Sequence, residues 1–139
     1  MLREKKTAVI YGAGGAVGGA VSRAFAREGA NVFLTGRTLN KVEAVAKEII
    51  ASRGTANAAQ LDALDEQAVE KHLEAVIHKT GGVDISFNAT GISASVVADK
   101  GMQGVPLTDV SLDSFLAPIT AYTGSNFVTA RAAQTYCIV

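Results

Sequence analysis

The sequence is poor in residue types that characterise whole classes of protein. It has one cysteine, two prolines and no tryptophan among 139 residues. The lone Cys137 cannot form an intrachain disulfide, which argues against a disulfide-stabilised secreted fold and favours a reducing cytoplasm. The first apolar run, Thr7 to Tyr11, is too short and too quickly broken by glycine for a signal peptide or a membrane span. We therefore expect a cytoplasmic protein with no membrane partner.

Net charge is absent as well. Thirteen Lys and Arg residues balance thirteen Asp and Glu residues. No overall field draws the chain toward nucleic acid or an anionic membrane, and the small basic start at Arg3, Lys5 and Lys6 is interpreted as a solvated terminus. Nucleic acid is therefore not an expected partner.

What is present is a large apolar fraction. The chain is 48% hydrophobic and contains fourteen glycines. A chain of this size can bury enough surface for a real core, so a single globular domain over residues 1–139 is expected.

Apolar runs that are typical of buried strands alternate with helical patterns. The predicted strands are Thr7–Tyr11, Asn31–Thr35, Ala56–Leu61 and Val83–Asn88. The predicted helices are Ala16–Glu28, one that begins near Asn40, one that follows the N-cap candidate Asp65 and ends at Gly81, and one over Leu112–Cys137 that Pro118 could kink. This alternation predicts an α/β fold with a doubly wound parallel sheet.

A glycine-rich turn follows the first predicted strand and precedes the first helix, with the sequence Gly12-Ala13-Gly14-Gly15-Ala16-Val17-Gly18-Gly19. Glycine allows the backbone to approach a pyrophosphate, whose charge is met by the N–H groups of the helix start. The dinucleotide-binding pattern G-x-G-x-x-G fits Gly12 and Gly14 but fails at Val17. A turn that only lets a helix pack closely on a sheet is the alternative interpretation.

Gly12 and Gly18, six residues apart with the small Ala16 between them, resemble the T-G-x-x-x-G-x-G turn of the short-chain dehydrogenase/reductase family. Tyr11 and Ala16 depart from its threonine and its middle glycine. Asn88-Ala89-Thr90-Gly91 is similar to the family's N-N-A-G, and Asp62 falls where the family places an aspartate on the adenine amino group. The resemblance implies a Rossmann-like sheet of about four strands in the order 3-2-1-4, incomplete relative to the family.

The end of the second predicted strand bears on the choice of cofactor. An NAD-binding domain usually places an acid here on the adenosine ribose, but the sequence reads Thr35-Gly36-Arg37-Thr38. The Arg37 guanidinium could clamp a 2′-phosphate, which favours NADP(H) over NAD(H). The alternative is a surface arginine that begins a helix. The predicted cofactor site comprises Gly12, Gly14, Gly15, Ala16, Val17, Gly18, Arg37, Asp62, Ala63, Asn88, Ala89 and Gly91.

The resemblance implies hydride transfer between nicotinamide and a carbonyl or alcohol substrate. The family's serine and Tyr-x-x-x-Lys would lie beyond Val139, and Tyr136 has no lysine four residues later, so no catalytic residue is assigned. An ungapped count places Tyr122 at the family's helix asparagine, and a shift in this count would bring Asn126 or another polar group there instead. We expect the cofactor-binding portion of an oxidoreductase that stops before its catalytic half.

Two alternatives stay open at this point: a non-catalytic nucleotide-binding module, and an assembly subunit. Members of the family pair the helix that corresponds to Leu112–Cys137 across a dimer axis, so the resemblance implies a homo-oligomer. No metal site is expected, because His72 and His78 lie six apart on a charged helix without ligand partners and are interpreted as solvated.

Overall fold

The computed structural model describes residues 6–91 and 104–136. Four parallel strands form one sheet in the order β3-β2-β1-β4, with β1 at Thr7–Tyr11, β2 at Asn31–Gly36, β3 at Thr55–Gln60 and β4 at Ile85–Asn88. The predicted fold class and strand order are confirmed. All five side chains of β1 are buried, as expected for a strand with neighbours on both edges and helices on both faces.

Three helices connect the strands: α1 at Ala16–Arg27, α2 at Leu39–Ala51 and α3 at Glu66–Thr80. The carboxylate of Asp65 accepts from the backbone N–H of Ala68 at 3.1 Å, which confirms the predicted N-cap. Gly81 ends α3 in the left-handed conformation, with φ at 87°. These helices return the chain to the start of the next parallel strand.

Alternate residues of the strands supply two separate cores. Ala8 and Ile10 of β1 pack with Val42 and Ile49 of α2 on one face of the sheet. Val9 and Tyr11 pack with Leu73 and Val76 of α3 on the other face. This division follows from the two-residue period of a strand. Because all four strands are parallel, their carboxyl ends lie at one edge of the sheet.

The predicted bounds of three strands needed small corrections. β2 runs one residue further, to Gly36, and β3 begins and ends one residue earlier than predicted. β4 begins at Ile85 rather than Val83. Just before β4, the backbone N–H of Asp84 donates to the Thr7 carbonyl at 2.9 Å, and the Asp84 carboxylate accepts from the backbone N–H of Thr7 at 2.8 Å.

The last predicted helix is not a single α-helix. It divides into α4 at Leu112–Ile119, a π-helical turn at Thr120–Gly124 and α5 at Ser125–Tyr136, while Cys137 lies outside the described residues. Pro118 has no N–H for the helical ladder, and the wider turn follows directly after it. A π-helical turn changes which side chains face the sheet beyond it.

No helix within residues 6–91 and 104–136 is long and apolar enough to cross a bilayer.

Candidate functional site

The turn between β1 and α1 is shaped by two glycines that could not be larger residues. Gly12 has a φ of 73°, and a Cβ there would lie 2.8 Å from the backbone carbon and oxygen of Ala89. A Cβ on Gly18 would collide with the carbonyl oxygen of Gly12 and lie 2.8 Å from its carbonyl carbon. The start of α1 therefore packs directly on the turn, and the turn packs directly on the end of β4.

The first turn of α1 is open to solvent. Gly15, Ala16 and Val17 are exposed, and 63% of Val17 is accessible despite its apolar side chain. The N-cap residue Gly15 has no side chain to bind the free N–H groups, and the first turn contains no acidic residue. Free N–H groups and the positive end of the helix dipole make this a favourable place for an anion.

A cleft of about 600 Å³ runs along the carboxyl ends of the strands and contains this turn. It brings together most of the predicted site: Gly12, Gly14, Gly15, Ala16, Val17, Arg37, Ala63, Asn88, Ala89 and Gly91. Two predicted residues lie elsewhere. Gly18 is buried beneath the turn, and Asp62 lines a smaller adjoining cavity of about 360 Å³, which shares Arg37 and Leu61 with the cleft.

The charge of the cleft is of one sign. Arg37 and Lys41 are the only charged residues among the described residues that line it. Both are exposed, and neither forms an ion pair with any residue of the described ranges. No carboxylate therefore competes within the cleft for an anion bound between these two cations.

Arg37 and Lys41 flank the start of α2. The backbone of Arg37 is held by the Gln60 side chain, whose Nε2 donates to the Arg37 carbonyl at 3.0 Å. The Thr38 hydroxyl, at the N-cap of α2, makes no capping hydrogen bond. It lines the cleft beside both cations and is available as a donor.

At the opposite end of the cleft, the Asn88 side chain organises the end of β4. Its Nδ2 donates to Ser125 Oγ and to Asn126 Oδ1, each at 3.1 Å. Its Oδ1 accepts from the backbone N–H of Thr90 at 2.9 Å. The carboxamide thus fixes the Ala89–Thr90 segment, which is the same segment that contacts Gly12.

The π-helical turn brings two polar side chains to this end. Tyr122 and Asn126 both line the cleft, and Asn126 Nδ2 donates to the Tyr122 carbonyl at 2.8 Å. The two residues that were candidates for the family's helix asparagine therefore both lie at the cleft.

Tyr136 does not line the cleft. Its hydroxyl donates to Glu74 of α3 at 3.1 Å, a contact that raises the pKa of Tyr136.

Asp62 is exposed, and one of its carboxylate oxygens is occupied locally. Oδ1 accepts from the backbone N–H of Leu64 at 2.9 Å, a short-range turn contact. The cavity beside it is lined by both polar and apolar groups, including Gln60, Leu61 and Ala68. This neighbourhood could accommodate a flat polar ring.

The expectation of two solvated histidines is wrong for His72. His78 is exposed, but His72 is half-buried, and its Nδ1 has no hydrogen-bond partner among the described residues. Burial lowers the pKa of His72, because desolvation disfavours the charged imidazolium. No group of three or more metal-ligating side chains occurs among residues 6–91 and 104–136.

At the Arg37 end of the cleft, the sequence analysis overlooked two exposed polar residues. Lys41 and Thr38 line the cleft there, although only Arg37 was singled out. Arg37 lies just before the N-cap Thr38, and Lys41 lies in the first turn of α2, so both reach the cleft from the start of one helix. The closeness of these two basic residues in the sequence was the signal that could have identified Lys41.

The comparison with protein families gives a match over residues 6–133 to the family described as short chain dehydrogenase. Among curated relatives, the uncharacterised oxidoreductase UxuB of Bacillus subtilis is 42% identical over 86 residues, which cover 62% of this chain and 31% of UxuB. The chain therefore spans about a third of that relative's length.

Solved structures share the fold over nearly the whole chain. The citronellol catabolism dehydrogenase AtuB of Pseudomonas aeruginosa has a TM-score of 0.82 at 25% identity, over 96% of this chain and 51% of AtuB. A metagenomic short-chain oxidoreductase in complex with NADP has a TM-score of 0.78 at 27% identity, over 93% of this chain and 55% of that one. A protein of Haemophilus influenza with bound NAD shares the fold at 21% identity, with a TM-score of 0.81, over 95% of this chain and 50% of that one. This chain belongs to the short-chain dehydrogenase family.

Proposed function

We propose that this chain is the cofactor-binding portion of an NADP(H)-dependent oxidoreductase that transfers hydride between nicotinamide and a carbonyl or alcohol substrate. Family membership supports the oxidoreductase class. The observation that carries the cofactor preference is the charge of the cleft, whose only charged described residues are Arg37 and Lys41. We also propose that residues 1–139 form one nucleotide-binding domain.

The shape of the cleft fits a dinucleotide. The close approach at Gly12 and Gly18 keeps the turn free of side chains where a pyrophosphate would meet the backbone. The N–H groups of Ala16 and Val17, in the exposed first turn of α1, would then face the pyrophosphate charge, whereas the Gly15 N–H donates to the Gly12 carbonyl at 3.2 Å. A Gly-rich turn that served only to pack the helix would not need this open first turn.

The preference for NADP(H) rests on the end of β2. An NAD site would gain from a carboxylate that accepts from the ribose hydroxyls, and Thr35, Gly36, Arg37 and Thr38 provide none. The guanidinium of Arg37 can donate two hydrogen bonds to a phosphate, and the ammonium of Lys41 adds a second positive charge. Both would favour a cofactor with a 2′-phosphate.

The remaining predicted residues have supporting roles in this proposal. Asp62 and Ala63 would border the adenine, with the second carboxylate oxygen of Asp62 as acceptor. Gly14 would keep the floor of the cleft open beside Lys41. Asn88, Ala89 and Gly91 would border the second nucleoside.

When bound, the nicotinamide would supply or accept the hydride. This chain's own residues would hold the dinucleotide and exclude water along its length, which is the part of the chemistry that a protein contributes to a cofactor enzyme. No described residue of the cleft is assigned to proton transfer to the substrate.

Charge variants test the cofactor assignment. Arg37→Asp should weaken NADPH binding by at least about a hundredfold, because it replaces a favourable charge pair by a repulsive one, and should weaken NADH binding much less. Lys41→Gln should show a smaller loss in the same direction. Lys47→Gln, at an exposed position of α2 outside the cleft, is the matched control. Equal losses for NADPH and NADH in Arg37→Asp would contradict the proposed 2′-phosphate contact.

We infer further that the chain forms a homo-oligomer through α4 in the cytoplasm. The side chains of Leu112, Phe115, Leu116 and Ile119 lie at helical spacing and are between 41% and 69% exposed. A contiguous apolar stripe of this kind is unfavourable in water and is typical of an interface.

A further inference from the structure

The Tyr122 side chain lies directly over Gly91 at the β4 end of the cleft. A Cβ on Gly91 would lie 3.3 Å from both Cε1 and the hydroxyl oxygen of Tyr122. Tyr122 as a whole residue remains 48% exposed, although its ring contacts the protein on this side. Part of Tyr122 is therefore accessible at the cleft that it lines.

The backbone of Tyr122 is fixed relative to the sheet by a short chain of hydrogen bonds. Asn126 Nδ2 donates to the Tyr122 carbonyl at 2.8 Å, and Asn126 Oδ1 accepts from Asn88 at 3.1 Å. Asn88 in turn belongs to β4, which pairs with the central strand β1. The backbone that carries the ring is thus held at a defined place beside the end of the sheet.

This place lies on the far side of the glycine turn from the two cations. Arg37 and Lys41 follow β2, the glycine turn follows β1, and Asn88 ends β4, in the spatial order β2-β1-β4. Adjacent strands are about 4.8 Å apart, so the two ends of the cleft are separated by roughly 10 Å. A dinucleotide with its 2′-phosphate at Arg37 and its pyrophosphate at the glycine turn would extend its second nucleoside toward β4.

We propose that Tyr122 is a positioning residue for the nicotinamide riboside half of the cofactor, which its ring contacts across the mouth of the cleft. This inference rests on the proposed NADP(H) function. An aromatic ring buries a large apolar area at a low cost in side-chain entropy and packs well on a flat partner. The contact orients the second nucleoside and contributes nothing to binding of the adenosine half.

The test compares two ligands on the 139-residue chain by calorimetric titration. NADPH contains both halves, whereas adenosine 2′,5′-bisphosphate contains only the adenosine half with its phosphates. Tyr122→Ala should weaken NADPH by about tenfold and leave adenosine 2′,5′-bisphosphate within about twofold of the unmodified chain. Tyr122→Phe, which keeps the ring, should retain NADPH affinity within about threefold.

Two further variants separate a local contact from a general disturbance. Phe127→Ala removes another exposed aromatic ring, on α5 and outside the cleft, and should leave both affinities unchanged. Gly91→Ala adds a methyl group 3.3 Å from the Tyr122 ring, which must then shift by a few tenths of an ångström, and should weaken NADPH selectively but less than Tyr122→Ala does. This second variant leaves Tyr122 itself intact.

The outcomes distinguish this inference from the function on which it rests. If Tyr122→Ala leaves NADPH affinity unchanged, or weakens both ligands equally, the positioning role is wrong while NADP(H) binding stands. If the unmodified chain binds adenosine 2′,5′-bisphosphate and NADPH with no measurable affinity, the proposed function fails, and this inference fails with it.

Discussion

The side chain of Asn88 donates to Oδ1 of Asn126 at 3.1 Å and thereby joins the end of β4 to the first turn of α5. The two residues are 38 positions apart in the sequence. Asn88 also accepts from the backbone N–H of Thr90, so this pair fixes the segment that contacts Gly12. One edge of the glycine turn therefore depends on a helix that is distant in the chain.

A double-mutant cycle on Asn88→Ala and Asn126→Ala measures this coupling. Each single change should lower the free energy of unfolding by about 1 kcal/mol, and the two effects should be non-additive by about 0.5–1 kcal/mol, because both remove one shared hydrogen bond. Urea unfolding gives all four free energies. Strict additivity would show that the Asn88–Asn126 hydrogen bond contributes no stability.

Gly18→Ala should be strongly destabilising. The added methyl group would meet the carbonyl of Gly12 and the Cα of Ala13, which are backbone atoms that cannot rotate away. We expect a loss of about 1–3 kcal/mol in the free energy of unfolding, as for other overpacked sites. Urea unfolding at neutral pH is the measurement.

Gly15→Ala is the matched control for stability. A Cβ there would lie 3.5 Å from the carbonyl oxygen of Gly12, an ordinary contact, and Gly15 has a φ of −85°. Its effect on the free energy of unfolding should stay within about 1 kcal/mol. Equal destabilisation by both variants would contradict the steric argument for Gly18.

The partial burial of His72 makes a pH-dependent contribution to stability. Burial lowers its pKa in the folded chain, so the unfolded chain takes up the proton first as the pH falls. Stability should therefore decrease as the pH falls through the unfolded pKa of about 6.5. Replacement by glutamine, His72→Gln, should reduce this decrease, measured as the free energy of unfolding above and below that pH.

His78→Gln is the control for this titration, since His78 lies on the same helix and is exposed. It should leave the pH dependence as it is in the unmodified chain. A His72→Gln variant with an unchanged pH dependence would show that other groups cause the decrease.

The apolar stripe of α4 gives a prediction about assembly. Phe115→Glu combined with Leu116→Glu should convert an oligomer to a monomer, because both side chains are exposed and charges would be desolvated at an interface. Sedimentation equilibrium measures the mass directly. A monomeric unmodified chain would contradict the proposed role of the stripe.

Local sequence patterns were sufficient to predict most of the fold. The run Thr7–Tyr11 is apolar without interruption, and its strand has the predicted bounds. Asp65 and Gly81 mark the ends of α3 because their capping geometry depends only on neighbouring residues. Strand ends such as the start of β4 at Ile85 were less predictable, since they depend on pairing with β1, which is distant in the sequence.

The site was predictable only in part, for a related reason. Residues that end strands meet at one edge of a parallel sheet, so Gly12, Arg37 and Asn88 could be grouped from the sequence alone. Asn126 and Tyr122 could not be placed, because a regular helix was assumed and the π-helical turn after Pro118 alters which side chains face the sheet. His72 was misjudged because its burial arises from tertiary packing.

The cleft between the glycine turn and the Arg37–Lys41 pair is proposed to bind a dinucleotide with a 2′-phosphate. The decisive measurement is calorimetric titration of the purified 139-residue chain with NADPH and NADH in one buffer at one salt concentration. We expect NADPH to bind at least about tenfold more tightly than NADH, through the phosphate contacts of the two cations. Equal affinities, or tighter binding of NADH, would contradict it.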